Sequence, residues 1–210
     1  MKRLSACLAI LFLLYAAALA ESLPEFFVET EELPEGGFAL HVRDMTLAFQ
    51  PIDIRYCLTR ESGRYMFGNM GYDRETLLPS MEENHVYAML YNKNRRAVVQ
   101  VHVYPYNGNQ EFAAMDKQMV QRIEEARVAS LGWTVHACDI LEADRLVFCR
   151  MLVSAPKSEG GVEWRLIYIS RHSGIELEVQ AIATGKRIIE MVMSETDEFV
   201  RNIRCTYDEE

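Results

Sequence analysis

Apolar and polar residues alternate along most of the chain, and in three places the alternation gives way to a helical period. Residues 38–42 and 45–49 read as strands of period two, and so do 134–141 and 146–155. Val86, Ala88 and Leu90 share one parity with Ala97, Val99, Val101 and Val103 if a turn at Lys93-Asn94 pairs Tyr91 with Arg96. That register gives the hairpin one wholly apolar face. Trp164, Leu166 and Tyr168 likewise share a face with Ile175, Leu177, Val179 and Ala181 if Ser173-Gly174 is the turn, a dipeptide suited to a two-residue hairpin. The same register sets Arg171 opposite Glu176, an opposite-charge cross-strand pair.

The helical stretches are 110–131, 186–204 and 74–83. In the first, Phe112, Met115, Met119, Ile123, Ala126 and Ser130 recur at three- and four-residue steps, with Asn109 as cap and Gly132 as stop. In the second, Ile188, Val192, Thr196, Phe199 and Ile203 form a stripe widened by Ile189, Met193 and Val200. The third starts after Asp73 and contains Pro79, which weakens or bends it. Hairpin-linked strands interleaved with these helices predict an α+β domain, a mainly antiparallel sheet with helices packed on it.

The first twenty residues stand apart. Lys2 and Arg3 precede an apolar run from Leu8 to Tyr15, and Ala18-Leu19-Ala20 ends before Glu21; basic start, apolar middle and small residues at the cut are the parts of a secretory signal peptide. The apolar run is short for the ~20 residues that span a bilayer. Residues 21–210 then form one domain without repeats or long linkers, expected to act outside the cytoplasm, at the cell envelope or beyond it, and with no membrane span after cleavage. The signal carries two of the 22 basic residues and none of the 31 acidic ones, so cleavage moves the net charge from −9 to −11. An acidic balance argues against nucleic acid or anionic membrane as partner.

Cysteine follows compartment. Cys7 leaves with the signal, and Cys57, Cys138, Cys149 and Cys205 remain, which allows three pairings. If Leu141 pairs with Leu146, Cys138 falls directly opposite Cys149 at a separation a disulfide spans, and by elimination Cys57 meets Cys205. The alternative is that all four pack as buried thiols.

At Tyr104-Pro105-Tyr106 a hairpin leads into a long helix, then into a meander of about four strands, then into a C-terminal helix of the type Lys186-Arg187-Ile188-Ile189…Phe199-Val200-Arg201-Asn202-Ile203. This order resembles the PsbP-like family, the extrinsic photosystem subunit and its bacterial exported relatives, over roughly residues 86–205. The resemblance implies an αβα sandwich and an accessory or partner-binding role without catalysis. Residues 21–84 depart from the family in the turn-rich stretch 60–72 and the helix after it.

The chemistry-bearing residues are few. The 85–104 register sets His85 opposite His102 on the hairpin face not used by the valines, together with Tyr87, Tyr91, Gln100 and Tyr104. Such a face, if exposed, offers an aromatic and imidazole platform for a sugar or peptide, whereas two imidazoles alone do not make a metal site. His136 and Cys138, two apart on a strand, invite a Cys-His nucleophile reading, but no third group or helix N-terminus adjoins them. The acidic pairs Glu31-Glu32, Glu82-Glu83 and Glu124-Glu125 lack calcium-loop spacing and read as solvated charge. No nucleophile elbow, phosphate loop or zinc-protease helix occurs. The sequence therefore points to a monomeric, non-enzymatic secreted domain without cofactor that binds a protein or small molecule. A hydrolase using sequence-distant carboxylates is the alternative, because such pairs leave no local signature.

Overall fold

The computed structural model describes residues 26–33, 37–50, 56–59, 74–92, 97–108, 110–157 and 160–208; the leader expected in residues 1–20 and the turn-rich stretch 60–72 lie outside them. In chain order the elements are β1 (Val28–Glu32), β2 (Phe38–Val42), β3 (Met45–Phe49), β4 (Tyr56–Thr59) and α1 (Arg74–Glu83). After them come β5 (Val86–Asn92), β6 (Ala97–Pro105), a 3-10 turn at Phe112–Ala114 and α2 (Lys117–Ser130). The chain closes with β7 (Thr134–Ala143), β8 (Leu146–Pro156), β9 (Val162–His172), β10 (Ile175–Ala183), α3 (Lys186–Arg201) and β11 (Arg204–Tyr207). Among the described residues these build an antiparallel seven-stranded sheet, β4-β5-β6-β10-β9-β8-β7, and a four-stranded one, β1-β2-β3-β11.

The β9–β10 hairpin has the register expected from its turn. Glu176 faces Arg171, Arg171 Nε donates to Glu176 at 2.8 Å, and Ser173 and Gly174 both take the left-handed conformation a tight turn needs, with φ of 46° and 74°. Two other hairpins differ from expectation. In β5–β6, Tyr91 faces Val98 and not Arg96, and a bulge between Val86 and Ala88 turns Val86 to the opposite face. The apolar parity of Ala88, Leu90, Val99, Val101 and Val103 survives, because a slip of two residues preserves the face. In β7–β8, Leu141 faces Phe148 and Ala143 faces Leu146. A two-residue turn at Asp144-Arg145, with Asp144 at φ 49°, wins over the longer loop, so Cys138 sits opposite Met151 and Ile140 opposite Cys149.

The two faces of the large sheet bury different things. One carries Val101, Val179, Leu166, Tyr168 and Phe148 into the main core, shared with α3 and the inner face of the small sheet. There Phe38 and Phe49 stack at 4.7 Å and Phe199 of α3 lies 5.9 Å from Phe49. Ile189, Val192, Thr196, Phe199 and Val200 are buried as the helical stripe requires. Under α3, Asp197 accepts from the Tyr168 hydroxyl at 2.5 Å and pairs with Arg150, which also grips Asp139 at 2.5 and 2.7 Å. Strands β1, β4 and β11 were not expected from the sequence; β11 carries Cys205, buried opposite Leu47.

The opposite face is covered in two patches. At one end Val120 and Val128 of α2, with Phe112, cover Cys149, Met151, Val153, Ile167 and Ile169. At the other, Met81 of α1 closes on Val86, flanked by Leu77, Met89 and Tyr91. α2 starts at Lys117, later than the expected 110, because Asp116 caps it by accepting from the amides of Gln118 and Met119 at 3.0 and 3.1 Å. Its buried row is Val120, Glu124 and Val128, while Met119 is 51% exposed. The expected stripe is thus rotated by one residue, because a carboxylate occupies the inward position.

Candidate functional site

Between the two covered patches, the middle of this sheet face is polar and open. A cavity of about 420 Å³ is lined there by α1, β5, β6, β9 and β10, within the size range of small-molecule sites. One wall, toward α1 and β5, is mainly apolar, built from Leu77, Met81, Val86 and Met89 and interrupted by Ser80 and Asn84; Ile182 lies beside Gln180 on β10. The other is polar, from Gln100, His102, Tyr104, Glu163, Arg165 and Gln180. Period two explains the polar wall: Gln100, His102 and Tyr104 alternate with the core valines of β6, and Glu178 and Gln180 alternate with Leu177, Val179 and Ala181 of β10.

His102 is 5% exposed. Its Nδ1 lies 3.1 Å from the carbonyl oxygen of Asn84 and 3.1 Å from the Tyr104 hydroxyl, whereas Nε2 is buried without a hydrogen-bond partner. Only a donor suits a carbonyl oxygen, so Nδ1 carries the proton and Nε2 the lone pair. Burial, reinforced by the nearby Arg165 and His85 charges, pushes the ring's pKa down to about 4. The Tyr104 hydroxyl is pushed up to about 12 by burial and by the carboxylates of Glu178 and Glu176.

Glu178, directly across the β6–β10 ladder from His102, is 7% exposed. Burial and the charge of Glu176 push its carboxyl up to about 7, against the pull of Arg127, Gln180 and Arg165. From there an ion-pair network runs into α2. Arg127 lies 4.0 Å from Glu178 and 3.9 Å from Glu176, and its Nε donates to the fully buried Glu124 at 2.6 Å. Arg171 Nη2 comes within 2.8 Å of Glu124, its guanidinium lying over the rings of Tyr106 and Phe112 at 4.9 and 5.1 Å. Two arginines on one buried carboxylate satisfy the condition under which such a charge is tolerated.

Of the platform expected from sequence, the structure brings His102 and Tyr104 together in the cleft, their rings stacked at 5.9 Å. His85 sits on the preceding turn at φ 53°, 5.3 Å from the Tyr104 ring, so the two imidazoles flank Tyr104 and do not face each other. On β5 the partner of His102 is Val86 and not His85. Tyr91 packs beside the cleft against the Met81–Val86 cluster. Tyr87, turned by the bulge, is 4% exposed in the main core and leaves the platform. Arg165, Glu163, Glu178 and Gln180 escaped the sequence reading, because they join His102 only once β10 is known to lie between β6 and β9.

The His136–Cys138 pair is not formed. A bulge between Val135 and Ala137 breaks the alternation. His136 stacks on Trp164 at 4.6 Å and bonds Ser154 Oγ at 2.8 Å, while Cys138 turns to the α2 side. There its sulfur lies 3.5 Å from that of Cys149 as diagonal neighbours, a thiol contact and not a bonded pair. Cys57 faces Leu90 on β4; its side chain lies outside the described residues, and with it the expected pairing to Cys205.

No family model and no curated protein matches the chain. Among solved structures it is similar to cyanobacterial PsbP (CyanoP) from Synechocystis sp. PCC 6803, at 10% identity over 88% of this chain and 96% of that one, with a TM-score of 0.43. It is also similar to LpqN of Mycobacterium tuberculosis, described as involved in cell envelope biogenesis, at 10% identity over 87% and 92% of the chains, with a TM-score of 0.47. No helix among the described residues is long and apolar enough to cross a membrane.

Proposed function

We propose that the protein is an exported, non-enzymatic binding domain whose ligand site is the cleft beneath α1 on the seven-stranded sheet. The observation that carries this reading is a buried, unpartnered His102 Nε2 in a cavity of about 420 Å³ with one mainly apolar and one polar wall. A buried polar atom without a partner costs about 1–3 kcal/mol, which a ligand or an ordered water relieves. Ser170 Oγ and His172 Nδ1 are also buried without a hydrogen-bond partner, but neither lines this cavity, and Tyr168, Asp197, Arg150 and Asp139 on the other face satisfy one another. Export rests on the basic, apolar and small-residue order of residues 1–20.

The hydrolase alternative draws little from the cleft. Glu163 is held by Arg165 at 2.6 Å and Glu176 by Arg171 at 2.8 Å, so among the described residues the raised carboxyl of Glu178 has no uncommitted carboxylate as its partner.

A library of neutral, anionic and cationic small molecules, screened by amide chemical shifts on the isotope-labelled protein, tests the proposal. Saturable shifts at Gln100, His102 and Gln180 are expected. A library silent at those positions would remove the reading, and turnover of a glycosidase or esterase substrate would replace it with the hydrolase. For export, the N-terminus of protein isolated from its native host is expected near Glu21, and an intact Met1 would contradict it.

A further inference from the structure

Resting on that binding role, the hydrogen-bond inventory of the cleft limits what the ligand is. Among the described residues, His102 Nε2 is the buried lining atom left unpartnered, and the Nδ1–H to Asn84 carbonyl contact makes it an acceptor. The low pKa of the ring, about 4, keeps it so at neutral pH. The ligand must therefore bring a donor to this point; an oxygen without hydrogen would face a lone pair.

Charge excludes a second class. Arg165 is the cation of the lining among the described residues, and its guanidinium is committed: Nε and Nη2 to Glu163 at 2.8 and 2.6 Å, Nη1 to Gln180 at 3.0 Å, with its Cζ over the Trp133 ring at 4.7 Å. A carboxylate or phosphate would have to break these contacts to be neutralised. Gln180 is committed as well, since its amide also donates to Glu178.

The opposite wall sets the body of the ligand. Leu77, Met81, Val86 and Met89 present hydrocarbon and two flexible thioethers that adapt to an irregular shape, with Ser80 and Asn84 the polar side chains among them. A molecule polar on all sides, such as a free sugar, would desolvate more hydroxyls against that hydrocarbon than Ser80 and Asn84 can satisfy.

The geometry points to a neutral alcohol or phenol as the ligand, its hydroxyl donating to His102 Nε2 and its hydrocarbon body lying on the methionine-lined wall. The half-buried amide of Gln100 and the Tyr104 hydroxyl stand beside that point, where a second polar group of the ligand would find a partner.

The test is a probe series on the wild-type protein: 1-naphthol, 1-methoxynaphthalene and 1-naphthalenesulfonate, titrated while the amide resonances of Met89, Gln100, His102 and Gln180 are followed. Naphthol is expected to shift them saturably. Methoxynaphthalene, of similar shape but without a donor, is expected to bind about tenfold more weakly or worse, the loss of one buried hydrogen bond. The sulfonate is expected not to bind. In H102F the preference for naphthol over methoxynaphthalene should collapse to about one, a ratio that general destabilisation would not produce; the wild-type series decides the matter even if that variant folds poorly. Equal binding of the two neutral probes, or preference for the sulfonate, overturns the ligand class and leaves the binding role standing. Silence from all three overturns the class, and only silence across the wider library removes the binding role itself.

Discussion

Glu178→Gln is expected to stabilise the protein more at pH 8 than at pH 5, and the size of the difference follows from the carboxyl's position. The side chain is 7% exposed, its nearest described cation is Arg127 at 4.0 Å, and its pKa is pushed from 4.5 to about 7. A folded pKa above the unfolded one means that the protonated form is favoured by folding. Its contribution is fully present below pH 4.5 and is lost as pH rises through 7. At about 1.4 kcal/mol per unit the whole window is worth about 3 kcal/mol, of which about 2.5 kcal/mol falls between pH 5 and pH 8. Glutamine keeps the shape and cannot ionise, so it escapes that loss. Urea unfolding of both proteins at the two pH values, read by tryptophan fluorescence, isolates the difference, because the other titrating groups are common to both. The stability gap is expected to widen by about 2.5 kcal/mol from pH 5 to pH 8, or about 5–10 °C in Tm for a domain of this size. A gap equal at the two pH values within about 0.5 kcal/mol would refute the assignment of a buried, largely uncompensated carboxyl to Glu178.

Other expectations follow from the same structure. His102, with its pKa depressed to about 4, contributes stability above pH 6.5 that is lost as pH falls toward 4, so H102F should flatten the acid limb of the wild-type stability profile. Glu124→Ala leaves Arg127 and Arg171 facing a buried void where their shared carboxylate stood; a loss of about 3–5 kcal/mol in chemical denaturation is expected, and a loss under 1 kcal/mol would show that the network is not closed in solution. In the reduced native protein, Cys149 should resist iodoacetamide, because the Cys138 contact and burial both push its thiol up, while Cys138 reacts; equal labelling would contradict the packing. We further propose that, outside the cytoplasm, the Cys138–Cys149 contact closes into a disulfide, the sulfurs starting 3.5 Å apart. Oxidised glutathione should then remove both thiols with the loss of two hydrogens and raise stability by roughly 3 kcal/mol, and a mixed product with glutathione alone would speak against it.

Which residues were legible in advance depended on how local their determinants are. The β9–β10 hairpin could be read to single-residue register because three short-range signals agree: the Ser173-Gly174 turn, the apolar parity and the Arg171–Glu176 pair. The stripe of α3 was equally plain, because one helix with one wide apolar face has one way to lie on a sheet. Of the candidate site, His102 and Tyr104 were placed on a shared face by period two alone. The same rule misplaced Tyr87 and the His136–Cys138 pair, since a bulge adds a residue that alternation does not count.

What the sequence by itself determined is therefore every described element but β1, β4 and β11, the apolar face of most of them, and the polar character of one side of β6 and β10, since each follows from side chains two to four residues apart. The tertiary structure decided three things. It set β10 beside β6, which gathers His102, Glu178, Gln180 and Arg165 from strands more than sixty residues apart in sequence. It brought Arg171 of β9 onto Glu124, so that a carboxylate and not a methionine turns inward on α2. It also drew β11 from the chain end onto β3, because an edge strand pairs with whatever backbone the fold brings alongside, and no local pattern records that partner.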